Sequence, residues 1–228
     1  MPSNSSKAKA VSTRLSRTRA ADSPTMDHSG RKQSRPRRQE VIDVAAEIFR
    51  RKGYVATTTQ DIGDALGILK GSIYYYIDTK DDLLFAVIEE THIRARDALA
   101  SAKADRGPVI DRLRRILRRN IEEAITFQDK AAVFNTEFRF LSEERQQQVI
   151  AVRDQYEQFI RSLLKEGQRE GLVCPDLDLH IASAGMLSLV TSVANWYRPR
   201  GNDAQKDVVN GLVEMATSSV QCGIDHVH

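Results

Sequence analysis

The fold is decided by the stretch TTTQDIGDALGILKGSIYYYIDTKDDLL, which runs from Thr57 to Leu84. Residues 58–66 predict a short amphipathic helix, because a threonine can cap its first turn and Asp61 suits the positive end of the helix dipole. Gly67 predicts a turn, and a second short helix is predicted over residues 69–76. That second helix is too short to be stable alone, so we expect packing to hold it. Two short helices joined by a glycine turn are typical of a helix-turn-helix unit.

The exposed face of the second helix has the chemistry that DNA binding requires. Three consecutive tyrosines, Tyr74 to Tyr76, cannot all face a core, because successive residues of a helix are about 100° apart. We expect Tyr76 to pack inside and the other two to face outward. Gly71 and Ser72 are small enough for the backbone to approach a major groove about 12 Å wide. The side chains that we expect to bind phosphates are Thr58, Lys70, Tyr74, Tyr75 and Lys80.

This stretch, extended by one residue to ATTTQDIGDALGILKGSIYYYIDTKDDLL, closely resembles the DNA-binding signature of the tetracycline-repressor (TetR/AcrR-type) family of transcriptional regulators. The resemblance covers about residues 37–84 and is specific in order, spacing and length. It implies an all-α fold, with a three-helix N-terminal helix-turn-helix domain before a larger helical domain for ligand binding and dimerisation. The residues that it implies face DNA are Thr58, Lys70, Ser72, Tyr74, Tyr75 and Lys80.

The N-terminal segment, residues 1–36, is basic and almost free of large apolar side chains. It holds eight Lys or Arg against two Asp, whereas the whole chain has a formal net charge of only +3. Such a segment cannot bury enough surface to offset its ordering entropy, so we expect a disordered basic arm. It could contact DNA phosphates, be a solvated tail, or precede a true start at Met26. Arg37 and Arg38 oppose the dipole of the first helix, so we expect them near phosphates or on a solvated face.

Composition and motifs give no sign of an enzyme. Charged residues make up 29% of the 228 residues and aromatics 6%, which is typical of a soluble, helix-rich protein. Cys174 and Cys222 form neither a disulfide framework nor a zinc set, so we expect reduced thiols in a cytoplasmic protein. No histidine has a metal-ligand spacing, and neither a phosphate-binding glycine loop nor a nucleophile elbow is present. We expect no catalytic residue, no metal and no cofactor.

The rest of the chain predicts a helical effector-binding and dimerisation domain over residues 85–222, after the helix-turn-helix domain at 37–84. Thr79 caps a helix that extends to about residue 100 and links the two domains. Further helices are predicted over residues 109–127, 130–141, 142–167, 179–197 and 203–220. No segment has the alternation of a strand followed by a hairpin turn.

The last two predicted helices are where the resemblance implies a homodimer, through a four-helix bundle. Small residues in the first of them would allow close approach of a partner: Ala182, Ala184, Gly185, Ser188, Ser192 and Ala194. Internal core packing would explain the same composition. We favour a dimer on a palindromic double-stranded DNA operator, because one short recognition helix rarely gives enough specificity. Polar residues interrupt the apolar run from Ile181 to Tyr197, so we expect no membrane span.

The sequence says least about the effector. Aromatic side chains could line a pocket for a small apolar or amphipathic molecule: Phe127, Phe134, Phe138, Tyr156, Phe159 and Trp196. An aromatic stripe at helical spacing is more often ordinary core. The segment from Trp196 to Pro199 is similar to family branches that sense acyl-CoA thioesters or other lipid-derived molecules. A basic run over residues 112–119 could hold an anionic ligand or phosphate, but a solvated or salt-bridged face is the favoured interpretation.

The favoured function is a sequence-specific DNA-binding transcriptional regulator, a repressor released by such an effector. One alternative is a helical small-ligand-binding protein whose DNA-binding head is weak or non-specific. The other is a DNA-coating protein that tolerates any sequence and depends on the basic arm. DNA affinity no better than about 10⁻⁴–10⁻⁶ M would favour the first alternative. Loss of all binding on deletion of residues 1–36 would favour the second.

Overall fold

The computed structural model describes residues 38–199 and 204–222, and these residues are helical with no strand. The all-α prediction is confirmed. The predicted arm at residues 1–36 and Arg37 lie outside the described residues. The described α-helices are α1 Arg38–Lys52, α2 Thr59–Leu66, α3 Lys70–Ile73, α4 Lys80–Ala104, α5 Val109–Thr126, α6 Gln128–Thr136, α7 Glu143–Arg169, α8 Leu179–Trp196 and α9 Ala204–Ser218.

Helices α1 to α3 and the first turns of α4, residues 38–88, form a unit that we call the head. Phe49, Ile62, Ile73 and Leu84 are fully buried at its centre. Tyr76 packs against this cluster, as its place in the tyrosine run predicted. The same cluster includes side chains from the rest of the chain: Val133, Leu141 and Val149. The head therefore shares its core with the remaining helices, which we call the body.

The helix-turn-helix geometry follows from a left-handed glycine and a tight final turn. Gly67 has φ 66°, a conformation that costs glycine little, and it ends α2. Helix α3 is α-helical only over Lys70–Ile73, shorter than the predicted 69–76. Its last turn is closed by bonds between residues three apart, from Tyr75 N to Ser72 O at 3.2 Å and from Tyr76 N to Ile73 O at 2.9 Å. Such bonds tighten a helix end and stop it from continuing.

The body consists of the rest of α4 with α5 to α9. Helix α5 lies at its centre, because Leu113, Leu117 and Ile121 are buried in one cluster with residues of α7, α8 and α9. Helix α6 ends at Thr136, earlier than the predicted residue 141, and a 3₁₀ helix at Phe138–Phe140 follows. None of the described helices is long and apolar enough to cross a bilayer.

The expectation of two reduced thiols is wrong for this structure, because Cys174 and Cys222 form a disulfide. They are 48 residues apart in sequence. Cys174 follows α7 and Cys222 follows α9, and the backbone N–H of Cys174 donates to the carbonyl of Val220 at 3.0 Å. The pairing therefore results from the approach of the segments that follow α7 and α9, which residue spacing does not encode.

Candidate nucleic-acid interface and effector cavity

Helix α3 and the residues next to it present an exposed surface. Leu69 is 75% exposed and Tyr75 76%, while Tyr74 is 48% exposed. A Cβ added to Gly71 would have no heavy atom within 4 Å, so this face is open as well as small. The exposed residues of this surface are Leu69, Lys70, Gly71, Ser72, Tyr74 and Tyr75. Most of the predicted DNA contacts are thus exposed in and beside this one short helix.

Thr58 lies beside this surface and caps α2. Its backbone N–H donates to Asp61 Oδ2 at 2.6 Å, and its hydroxyl accepts from the backbone N–H of Asp61 at 3.2 Å. Lys52 Nζ donates to the other oxygen of Asp61 at 2.8 Å. The bond from Lys52 and those from Thr58 hold the pKa of Asp61 well below its usual range. Asp61 therefore stays charged at the N-terminal end of α2, where the helix dipole favours it.

Lys80 is bonded within the head. Its ammonium donates to the carbonyl of Thr57 at 2.6 Å and lies 4.3 Å from the centroid of the Tyr54 ring. Burial lowers the pKa of Lys80. The side chain thus fixes the backbone just before Thr58, which sequence reasoning did not foresee.

Arg38 is exposed at the start of α1.

The body contains a cavity of about 480 Å³, lined by side chains of α4, α5, α6, α7 and α8 and partly open to solvent. Of the aromatic residues predicted for a pocket, Phe127, Phe134 and Tyr156 line it. Phe138 packs instead against the core of the head, and Phe159 against that of the body. Trp196 is 50% exposed on α8. A helical stripe fixes which side of a helix is apolar, but not which turns face an empty volume.

Several polar groups face the cavity. The hydroxyl of Tyr156 donates to Asn120 Oδ1 at 2.5 Å, and burial raises the pKa of Tyr156. Arg153 lies against the Phe134 ring with its Cζ 4.6 Å from the centroid, and burial lowers the pKa of Arg153. Thr91 Oγ1 and Arg94 Nε are buried and have no hydrogen-bond partner among the described residues. The cavity is therefore apolar in its walls but offers several hydrogen-bonding groups.

Sequence reasoning missed the residues of α4 that face the cavity. Thr91 and Ala95 continue the buried stripe of Leu84, Val87 and Ile88 at helical spacing, and both line the cavity. A small and a polar residue that interrupt an apolar stripe are the signal that could have revealed the cavity, since neither fills a core well. Arg153 gave no such signal, because arginine on a long amphipathic helix is usually solvated.

The basic run of α5 is salt-bridged, which confirms the favoured interpretation. Arg115 Nε lies 2.6 Å from Asp105 Oδ2, and Arg119 Nε lies 2.9 Å from Glu123 Oε1. Arg112 pairs with a glutamate of α7, and Arg114 lies within ion-pair distance of acids on α5 and α9. No group of three potential metal ligands occurs in the part of the chain that the structure describes.

The outer face of α8 is exposed and weakly polar. Ile181 is 69% exposed, and Ala184, Gly185 and Ser188 follow it on the same side. Of the other small residues noted in the sequence, Ala194 is fully buried, and Ala182 and Ser192 are half-buried. Helix α9 adds Met215, which is 59% exposed.

Comparison with known proteins agrees with this geometry. Residues 41–87 match the family model "Bacterial regulatory proteins, tetR family", and residues 106–220 match "Tetracyclin repressor-like, C-terminal domain". The chain is 28% identical to the HTH-type transcriptional repressor KstR2 of Rhodococcus jostii, over 78% of this chain and 87% of that protein. It is 23% identical to the fatty acid metabolism regulator protein of Bacillus subtilis, over 83% of this chain and 98% of that protein.

Solved structures give the same result for the fold. The ketosteroid transcriptional regulator KstR2 of Mycobacterium tuberculosis superposes with a TM-score of 0.71 at 26% identity, over 84% of this chain and 98% of that one. AibR, solved with isovaleryl coenzyme A and operator DNA, has a TM-score of 0.69 at 24% identity, over 79% and 97% of the two chains, and this likeness concerns the fold alone. With both family models matched in order along its length, this chain belongs to the TetR family of transcriptional regulators.

Proposed function

We propose that this protein is a homodimeric transcriptional repressor that leaves its operator when an amphipathic small molecule fills the body cavity. The observation that carries the proposal is the position of α4. Its first turns, including Leu84 and Ile88, are buried in the core of the head, while Thr91 and Arg94 of the same helix line the cavity. A ligand that displaces the cavity wall therefore acts on a rigid element that also supports the recognition helix.

The proposed operator contacts come from the exposed surface around α3. Ser72 and Gly71 let the backbone approach the major groove, and Lys70, Tyr74 and Tyr75 bind phosphate or sugar. Arg37 and Arg38 add phosphate contacts at the start of α1, and Thr58 adds one at the start of α2. For Lys80 we propose mainly a positioning role, since its ammonium already binds the carbonyl of Thr57. An N–H of the Lys80 ammonium that is not used within the head can still donate to a phosphate.

The proposed dimer forms through the outer face of α8 together with α9. Exposed Ile181 and Met215 flank small side chains, so two copies could pack closely there. A two-fold dimer places two copies of α3 about 34–36 Å apart, one turn of DNA, and so requires a palindromic operator. An effector that changes this separation would lower operator affinity without touching DNA. We place the protein in the cytoplasm, where such DNA is accessible.

The proposed effector has an apolar body and at least one polar group. A cavity of about 480 Å³ is in the range of small-molecule sites, which are mostly apolar with a few placed polar groups. An acyl-CoA or other lipid-derived molecule is one member of this class. The role named for the Bacillus subtilis relative, regulation of fatty acid metabolism, is in keeping with it.

A gel shift on the DNA upstream of the protein's own gene tests the operator proposal. We expect a sequence-selective shift at moderate salt that an excess of unrelated DNA does not abolish. A folded dimer that binds all sequences equally would reject it and favour a ligand-binding protein with a non-specific head.

The cavity is tested with N-phenyl-1-naphthylamine, a neutral dye that fluoresces in apolar sites. We expect saturable binding to the wild-type protein and its loss in Ala124→Phe, which places a ring inside the cavity from α5. Ala151→Phe, on the exposed side of α7, is the matched control and should bind the dye normally. Equal binding by both variants would show that the dye does not occupy this cavity.

A further inference from the structure

Arg94 of α4 stands where the cavity wall meets the head. Its Nη2 lies 3.2 Å from Glu90 Oε2, and its Cζ lies 3.7 Å from the centroid of the Phe127 ring. The third part of the guanidinium, Nε, is buried without a partner among the described residues. A buried donor on a charged group is costly to leave unpaired, so it favours a ligand that supplies an acceptor.

The partner of Arg94 belongs to a chain of charges that reaches α1. Glu90 Oε2 also accepts from Lys130 Nζ at 2.5 Å, and the same Nζ lies 2.5 Å from Asp43 Oδ1. The Lys130 side chain is only 9% exposed, so its ion pairs are poorly screened by solvent. Asp43 is on the exposed side of α1, and the buried residues of this helix pack in the core of the head. We call Arg94, Glu90, Lys130 and Asp43 the charge chain.

Of the two arginines that line the cavity, Arg94 pairs with Glu90, and Arg153 has no acid partner among the described residues. Glu123, the acid in the cavity lining, binds Arg119 at 2.9 Å. Across residues 38–199 and 204–222, no carboxylate lies within ion-pair distance of Arg153. A low-dielectric site with a surplus of guanidinium groups is complementary to an anion.

We propose that Arg94 binds an acidic group of the effector, a carboxylate, sulfonate or phosphate, and that the charge chain connects this contact to α1. The inference rests on the proposed function and names the chemistry of its effector. When the acidic group takes Arg94, Glu90 loses one of its two cations and is left to Lys130. Glu90 then attracts Lys130 of α6 more strongly, in competition with Asp43 of α1. The ion pair between α6 and α1 is weakened as a result.

Two dyes that differ by one acidic group test the contact. They are 8-anilinonaphthalene-1-sulfonate and its neutral counterpart N-phenyl-1-naphthylamine, which has the same aromatic body. We expect Arg94→Met to lower the affinity for the sulfonate dye at least tenfold, since a hydrogen bond to a charged group contributes roughly a factor of ten or more. The affinity for the neutral dye should stay within about twofold of the wild-type value. Arg94→Lys, which keeps the charge, should retain part of the preference.

Arg118→Met is the matched control for that experiment. Arg118 is on α5, outside the cavity, and hydrogen-bonds Asn210 at 2.8 Å. Its replacement should change the affinity for neither dye. Equal weakening of both dyes by Arg94→Met, or no weakening of the sulfonate, would overturn the proposal, and Arg94→Lys decides the case if the methionine variant does not fold.

The charge chain has its own test in Asp43→Asn. The Asp43 side chain is 53% exposed and does not line the cavity, so the variant should fold. With Asp43 neutral, Lys130 pairs with Glu90 alone, so Glu90 binds Arg94 less strongly. Arg94 is then more available to the sulfonate dye, which should bind severalfold tighter. The affinity for the neutral dye should be unchanged. Asp129→Asn removes a neighbouring carboxylate that binds Arg50 instead, and it should have a smaller effect.

The outcomes separate this inference from the proposed function. If the protein shifts its operator and binds the neutral dye in the cavity, but these variants do not alter the sulfonate preference, only the inference fails. Equal effects of Asp43→Asn and Asp129→Asn would reject the charge chain as the connection. Failure of the operator shift, or of dye binding in the cavity, would reject the proposed function and this inference with it.

Discussion

At the scale of single residues, two lysines of the head, both expected from the sequence to bind phosphates, have different surroundings. Lys70 is exposed at the start of α3, next to the residues proposed to enter the major groove. Lys80 is half-buried, and its ammonium binds the carbonyl of Thr57 and faces the Tyr54 ring. The first lysine is therefore available to DNA, while the second supports the segment that carries Thr58.

This difference predicts opposite results for the two alanine variants. Lys70→Ala should leave the melting temperature unchanged, weaken binding to all DNA sequences, and reduce the slope of log affinity against log salt by about 0.9. Lys80→Ala should lower the free energy of unfolding by about 1 kcal/mol, because a buried carbonyl loses its donor. Thermal melts and fluorescence anisotropy at several salt concentrations measure both. A melting temperature of Lys80→Ala equal to that of the wild-type protein would contradict the positioning role.

At the scale of elements, the turn between α2 and α3 sets the direction of the recognition helix. Gly67 N donates to Asp64 O at 3.1 Å and Ile68 N to Gly63 O at 2.9 Å, which completes the end of α2. This arrangement needs the left-handed φ of 66° at Gly67. Gly71, four residues later, has no such requirement, and its open side faces outward.

Alanine at these two glycines should therefore separate folding from DNA binding. Gly67→Ala should destabilise the protein by about 1–2 kcal/mol, since a Cβ is strained in the left-handed region. Gly71→Ala should keep or slightly raise stability, because alanine favours helix, yet weaken operator binding by blocking the close approach of the backbone. Chemical denaturation and gel shifts on both variants provide the comparison. Normal operator affinity of Gly71→Ala would reject the proposed docking of α3.

At the scale of the whole molecule, the proposed function requires a second copy, and the exposed side of α8 is the surface proposed for it. Gly185 lies on the exposed side of α8, and an added Cβ there would have no heavy atom within 4 Å. A large charged side chain at this position can therefore be accommodated in a single chain but not in a closely packed interface.

We expect Gly185→Lys to yield a folded monomer with reduced operator affinity. Light scattering after size-exclusion chromatography gives the mass, circular dichroism gives the helical content, and a gel shift gives the affinity. Ala151→Lys, on the exposed side of α7, should remain dimeric and bind normally. A dimeric Gly185→Lys protein would place the interface elsewhere.

The stability of the whole chain should also depend on pH through His92 of α4. Its side chain is buried, Nε2 has no partner among the described residues, and burial lowers the pKa of His92, with Arg96 acting in the same direction and Glu89 against it. The unfolded chain therefore binds a proton at higher pH than the folded chain does, so stability falls as the pH drops below about 6.5.

The melting temperature should accordingly fall between pH 7 and pH 5.5, before most carboxylates titrate. His92→Phe keeps a ring of similar size without the titrating group, and its melting temperature should fall less over the same range. Parallel melts of the two proteins in matched buffers test this. If the melting temperatures of the two proteins changed equally with pH, His92 would not contribute to the pH dependence of stability.

The sequence alone determined the helix-turn-helix and the all-helical class, because caps, a turn glycine and helical periodicity are local properties. It also favoured Tyr76 as the packed residue and Tyr74 and Tyr75 as the exposed ones, since three successive helical residues cannot all face a core. Helix ends were less accurate where tight turns took over, as after Ile73 and after Thr136.

Only the tertiary structure decided which side chains share a site. The disulfide between Cys174 and Cys222, the bond from Lys80 to Thr57 and the cavity beside Arg94 all bring together residues that are far apart in the sequence. Their positions depend on how helices cross and where packing leaves a volume unfilled. Sequence periodicity fixes the face of each helix, but distances between faces are set by the packing of the whole chain.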